Sequence, residues 1–261
     1  MLRRWCILLA MLALAAGTAL TATSASASTT AGTFNPGGTM RLASGASSQA
    51  RGISNEVSST NWSGYAGTTG TYTSVSASWI QPIGTCKSGD QYAAFWVGLD
   101  GYSSSTVEQT GSEVDCVGRT AEYYAWYEAY PAASENYSNT VKSGDHFSAT
   151  VTYDGSNKFA LYIDDSTQGW SHTTTVTVRG AARSSAEVIV EAPCCTNSGG
   201  ILPLTDFGTV NITGSTANRA AIGSAGGLTE IYMADSEGRK EDSVTSLSSG
   251  ENFSATWLRS N

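Results

Sequence analysis

An all-β fold is predicted for this 261-residue chain from three observations. Apolar and polar residues alternate with a period of two in several runs, turn residues punctuate those runs, and no apolar period of 3.6 extends over ten residues. The clearest run is Phe147, Ala149, Val151 and Tyr153, alternating with polar neighbours. The turn Asp154-Gly155-Ser156-Asn157 follows, and Phe159, Leu161 and Ile163 resume the alternation, so the stretch reads as a β-hairpin. Residues 173–178, 186–191 and 209–213 are three further predicted strands. Many short strands with frequent glycine-containing turns favour a sandwich or a barrel.

The chain starts with a targeting pattern. Arg3 and Arg4 are followed by an apolar stretch at 5–14 and a small-residue cleavage site at Ala25-Ser26-Ala27. This predicts a secretory signal over 1–27 and an exported, extracellular protein. No later run reaches the roughly 18 apolar residues of a membrane span, so no membrane partner is expected. Residues 28–58 are rich in Ser, Thr, Ala and Gly and lack apolar periodicity. Alone they cannot bury enough surface to become ordered, and they read as a pro-segment or flexible linker. Residues 59–261 form one domain, long enough for a sizeable core, and a monomer is expected.

Charge divides the chain. Arg3, Arg4, Arg41 and Arg51 precede the first acidic residue, Glu56, while residues 56–261 hold ten basic and all 22 acidic residues. Such a body repels nucleic-acid phosphates, so no nucleic-acid partner is expected. A basic leader beside an acidic body should be attracted to it near neutral pH and released in acid. Self-removal of the leader is the corresponding expectation, with a mature start between about residue 50 and Asn61.

Cys6 leaves with the signal. Cys86, Cys116, Cys194 and Cys195 remain, an even number in an exported chain, so disulfides are expected. Cys86–Cys116 is favoured because it ties together the ends of one apolar stretch; a bridge between the adjacent Cys194 and Cys195 is strained. The spacing matches no zinc pattern, and neither metal nor cofactor is expected. Only two histidines occur: His146 at a strand start and His172 in a polar turn. With no G-x-S-x-G elbow beside them and no H-E-x-x-H, a Ser-His-Asp hydrolase and a zinc peptidase are both disfavoured.

Polar residues set within aromatic strands are the informative feature. They occur in Phe95-Trp96-Val97-Gly98-Leu99-Asp100-Gly101 and Val107-Glu108-Gln109-Thr110-Gly111. They recur in Ala125-Trp126-Tyr127-Glu128-Ala129-Tyr130-Pro131 and Ala186-Glu187-Val188-Ile189-Val190-Glu191. Alternate strand residues share a face, so Trp126, Glu128 and Tyr130 line one face and Glu187, Ile189 and Glu191 another. Faces of indoles, phenols and carboxylates suit a substrate groove better than a dry core.

These blocks, in this order and spacing, resemble the glutamic peptidases (eqolisins) along most of the mature chain. Asn61-Trp62-Ser63-Gly64 is similar to the family's first strand, and Leu202-Pro203-Leu204 through Phe207 to the segment after its glutamate. The resemblance implies a sandwich of two curved antiparallel sheets, similar to a concanavalin or lectin-like jelly roll, with its active site on the concave face. It further implies an acid endopeptidase of protein and peptide substrates, insensitive to pepstatin, with Gln109 and Glu191 as the catalytic pair. Trp96, Asp100, Trp126, Glu128 and Tyr130 are the substrate-lining candidates. Glu187, four residues from Glu191 on the same face, is the rival glutamate. One departure is Ala192-Pro193-Cys194-Cys195, where the better-known members carry an acidic and an aromatic residue; one pocket wall therefore differs. The competing readings are a carbohydrate-active or carbohydrate-binding sandwich with paired carboxylates and a non-enzymatic binding protein. A glycosidase needs a second carboxylate about 5–9.5 Å from Glu191. N-glycosylation patterns occur at Asn61, Asn136, Asn211 and Asn252.

Overall fold

A computed structural model describes residues 39–43, 49–51, 54–194 and 200–260. The signal segment and Cys195 lie outside the described residues. In chain order the strands are β1 (Gln49–Arg51), β2 (Ser54–Ser59), β3 (Trp62–Gly67), β4 (Ser74–Ile80), β5 (Gln91–Leu99), β6 (Val107–Val117), β7 (Thr120–Tyr130) and β8 (Glu135–Asn136). They continue with β9 (His146–Gly155), β10 (Lys158–Asp165), β11 (Trp170–Thr177), β12 (Ala186–Glu191), β13 (Thr209–Ala217), β14 (Ala220–Ala221), β15 (Thr229–Met233), β16 (Asp242–Val244) and β17 (Phe253–Trp257).

The strands build two sheets. One has nine strands in the order β1-β2-β15-β3-β12-β5-β6-β7-β8; the other runs β11-β10-β9-β4-β13-β17-β16, with β14 on β13. This is the all-β sandwich. It departs from a wholly antiparallel arrangement at one place, the parallel pair β2 and β15. The predicted hairpin is β9–β10, with Val151 opposite Leu161 and Tyr153 opposite Phe159. Its turn residues Gly155, Ser156 and Asn157 all take positive φ. His172 lies within β11, not in a turn, half-buried and stacked on Tyr137. The polar, Thr-rich composition of this strand at the end of its sheet disguised it as a turn.

The core lies between the sheets. Phe95, Val97 and Leu99 of β5 and Val188 and Val190 of β12 pack with Val75, Trp79, Phe147, Val151, Leu161 and Ile163 of the second sheet. The Trp79 indole donates across the interface to Ser112 Oγ at 2.8 Å. The Ser63 hydroxyl donates to the Asp242 carboxylate, joining β3 to β16. Cys86 and Cys116 form the expected disulfide, tying the loop before β5 to the end of β6. Cys194 is also disulfide-bonded, and the position of Cys195 is outside the described residues.

Two pieces of the stretch read as a leader are ordered against the body. β2 pairs over five positions with β15, and residues 39–43 run beside Ser58 to Asn61. Ser58 and Ser59 are buried although this segment has no apolar periodicity. Main-chain pairing with the body orders them where side-chain burial alone could not.

Candidate active site

The site occupies the face of the nine-stranded sheet that points away from the core. Opposed residues in neighbouring strands share a face, so the register groups them into rows. Glu187, Gly98, Gln109 and Glu128 form one row across β12, β5, β6 and β7. Ile189, Trp96, Gly111 and Trp126 form the next, and Glu191, Ala94, Glu113 and Tyr124 the third. The two polar faces recognised separately in the sequence are therefore one face.

Two glycines make room for the indole at its centre. A Cβ on Gly98 would lie 2.8 Å from Trp96 Cζ3, and one on Gly111 would lie 2.6 Å from Trp96 Cβ and 2.2 Å from the Phe95 carbonyl oxygen. With its six-membered ring over Gly98, Trp96 turns Nε1 toward the third row and donates to Glu191 Oε2 at 2.9 Å. Trp62 packs edge-on against Trp96 at 4.9 Å between ring centres. Trp62, Trp96, Trp126 and Ile189 belong to one apolar cluster, against which Met40, Tyr102 and the half-buried Tyr130 pack.

Glu191 is fully buried. Its second oxygen, Oε1, accepts from Asn61 Nδ2 at 3.3 Å. Burial pushes its pKa well above the carboxylate range, and the charge of Glu128 adds to this. The hydrogen bonds from Trp96 and Asn61 act in the opposite direction. So does the Trp62 indole, although its N–H has no partner within hydrogen-bond geometry.

Gln109 Nε2 donates to Glu128 Oε2 at 2.6 Å. Glu128 is pushed up to about 8, chiefly by burial, with the Gln109 bond opposing. Gln109 Oε1, Glu128 Oε1 and Trp126 Nε1 are buried without a protein partner. Such atoms are uncommon in folded proteins, and their concentration on one face marks it as a place for a ligand. Glu187 is fully buried, and its pKa is raised first by burial and then by the charges of Asp100 and Glu108. Glu113 is pushed up to about 7 by burial, with the charge of Glu191 adding.

Asp100 is differently employed. It has φ +71°, and its carboxylate accepts from Arg183 N at 2.7 Å, Ser184 N at 2.9 Å and Ser184 Oγ at 3.1 Å. It braces the loop before β12. Sequence reasoning missed Asn61 and Glu113. Asn61 stood at the head of a recognised block, but a polar residue before a strand carries no signal for a bond to a glutamate 130 residues away. Asn61 also cannot serve as a glycan acceptor in this fold, since it is fully buried. Among the described residues no group of three or more His, Cys, Asp or Glu is arranged to hold a metal ion.

Comparison with known proteins matches this architecture. The chain is 29% identical over 231 residues to Aspergillopepsin-2 of Aspergillus niger, covering 79% of this chain and 80% of that one. Scytalido-glutamic peptidase, solved with a transition state analog inhibitor, superposes with a TM-score of 0.66 at 21% identity, covering 76% of this chain and 98% of that one. An Eqolisin family member, SCP-B, solved with the tripeptide Ala-Ile-His, superposes with a TM-score of 0.62 at 20% identity over 76% and 98% of the two chains. The family model described as the Peptidase A4 family matches residues 60–257, nearly the whole sandwich. The chain belongs to the Peptidase A4 family.

Proposed function

We propose that this peptidase is an exported acid endopeptidase in which Glu191 and Gln109 carry the chemistry. The observation that supports this best is the pair of restraints on one buried face: Glu191 held by Trp96 and Asn61, and Gln109 held by Glu128. Ionised Glu191 takes a proton from a water molecule, which attacks the scissile carbonyl carbon. The Gln109 amide has two hydrogens; one goes to Glu128 and the other remains for the developing oxyanion. Protonated Glu191 then returns its proton to the leaving nitrogen as the C–N bond breaks, releasing an amine and a carboxylic acid. One amide donor of this kind is worth about 3–4 kcal/mol, or some 10²–10³ in rate. Glu128 acts as a positioning residue for Gln109. The family match decides between the peptide and carbohydrate readings, because carboxylates alone fit both.

The same reading makes the leader a pro-segment. Burial of Glu191 raises its pKa and disfavours the ionised form that a base requires. Removal of residues 39–43 exposes the Asn61 side of the site and weakens the effect of burial. The bonds from Trp96 and Asn61 then favour the ionised form. Cleavage on the N-terminal side of β2 keeps that strand in the sheet. Among the described residues no helix is long and apolar enough to cross a membrane.

The test is casein digestion at about pH 3–5 by acid-treated protein, with pepstatin and with a chelator. Carboxyl and amide groups alone carry the proposed steps, so hydrolysis should persist with both additives and fall about 10²–10³-fold in Gln109→Ala. No hydrolysis at any acidic pH, or loss of activity to the chelator, overturns the proposal.

A further inference from the structure

Residues 39–43 are held by their main chain. Met40 N donates to Gly101 O at 3.1 Å, Ala43 N to Ser58 O at 3.1 Å, and Thr60 N to Arg41 O at 2.8 Å. Arg41 N donates to Asn61 Oδ1 at 2.8 Å, and Asn61 Nδ2 donates to Thr39 O at 3.4 Å. Ser59 Oγ gives Arg41 O a second bond at 2.9 Å. Leu42 bridges Ser59 in the antiparallel sense. None of these bonds reads a side chain of residues 39–43, so any extended peptide could make them.

Three side chains are engaged as well: Arg41 Nη2 donates to Cys194 Sγ at 3.0 Å, Ala43 is buried, and Met40 meets the apolar surface of the site. Met40 packs on the cluster of Trp62, Trp96, Trp126 and Ile189, while Leu42 is 63% exposed. Main-chain bonds for affinity and a pocket for one side chain are the usual division of labour in strand-wise peptide recognition. An unbranched, polarisable side chain suits a surface of indole edges.

Asn61 links this strand to the chemistry. It is fully buried, and its amide is engaged at both ends: Oδ1 accepts from Arg41 N, and Nδ2 donates to Thr39 O and Glu191 Oε1. One side chain therefore touches both the peptide backbone and the glutamate.

We infer that Ser58, Ser59, Thr60, Asn61 and Gly101 form a peptide-binding subsite beside Glu191, selective for an unbranched apolar side chain where Met40 now sits. Residues 39–43 are its resident occupant, and an extended peptide of the same pattern is the ligand that replaces them. Asn61 is the positioning residue that sets the bound strand in register with Glu191. The catalytic meaning of the subsite rests on the peptidase reading above; the binding does not.

The experiment uses the full chain carrying Met40→Asp, which loosens the occupant, and a synthetic peptide of residues 37–45. Tryptophan emission reports binding in the indole cluster. A saturable change is expected. Replacing Met by Asp in the peptide should weaken it at least about tenfold, since burial of a Met side chain is lost. Adding Asn61→Ala to the protein should weaken both peptides by a similar factor while keeping the preference for Met, a pattern that general collapse of the site would not give. No saturable binding to folded protein, or equal binding of the two peptides, overturns the inference. If Met40→Asp does not fold, Met40→Gly is measured in the same way. Peptide binding without proteolysis in wild type defeats the enzymatic reading and leaves the subsite standing. Proteolysis without peptide binding defeats the subsite alone.

Discussion

The two faces of the nine-stranded sheet are equally buried and differ in almost everything else. In β12, Val188 and Val190 point to the core while Glu187, Ile189 and Glu191 point away, and all five are at most 1% exposed. In β5, Phe95, Val97 and Leu99 face the core while Trp96 and Gly98 face the site. The inner face is closed by apolar contact with the second sheet. The outer face carries carboxyl, amide and indole groups, several without a protein partner. A shift of one residue along the strand separates stability from chemistry. The same strands therefore carry a packed apolar face on one side and a polar, indole-lined face on the other.

If that division is real, substitutions on the two faces should fail in different ways. Phe95→Ala empties a large inner position and should cost about 3–5 kcal/mol of stability by chemical denaturation. The turnover of the molecules that remain folded should change little. Gln109→Ala should do the reverse: kcat falls about 10²–10³-fold, while the thermal midpoint moves by only a few degrees. A Gln109→Ala protein that unfolds like Phe95→Ala would break the comparison.

A subtler variant lies at the boundary. In Gly98→Ala the added methyl meets the Trp96 ring at 2.8 Å and Gln109 Cβ at 3.2 Å. The indole must shift and loosen its bond to Glu191. A loss of about tenfold in kcat is expected, in line with one charge-assisted hydrogen bond. Turnover equal to wild type would show that the bond from Trp96 does not orient the glutamate.

The smallest expected effect is in pH dependence. Burial pushes Glu113 and Glu241 up to about 7, Asp242 to about 6, and Glu108 and Glu128 to about 8. In the unfolded chain such groups release their protons near pH 4. Between these values the folded protein binds more protons than the unfolded one, so stability falls as pH rises from about 4 to 8. The thermal midpoint should drop by a few degrees or more over that range; a midpoint that rises toward neutrality contradicts the assignment.

Much of this was legible in the sequence, and the missing part has a physical reason. The β9–β10 hairpin and β12 announced themselves because alternation is a local property of the chain. The disulfide Cys86–Cys116 followed from the ends of one apolar stretch. Gln109, Glu128 and Glu191 were singled out through the order of several blocks, and the register places them on one face. That Glu187, Ile189 and Glu191 share a face with Trp126 and Glu128 was not visible, because strand order is decided by long-range pairing. β2 was hidden for the same reason. Its serines are ordered by main-chain bonds to β15, a strand from the far end of the sequence. Asn61 escaped notice because its role appears only when residues 39–41 and Glu191 meet around it.

The central claim is that Glu191, among several buried carboxyls on one face, is the base. The most direct test is kcat on one peptide substrate at about pH 4 for Glu191→Gln beside Glu187→Gln, each shown to be folded by circular dichroism. The account predicts a loss of at least about 10²-fold for Glu191→Gln and turnover close to wild type for Glu187→Gln. Near-normal turnover by Glu191→Gln, or loss confined to Glu187→Gln, would contradict it.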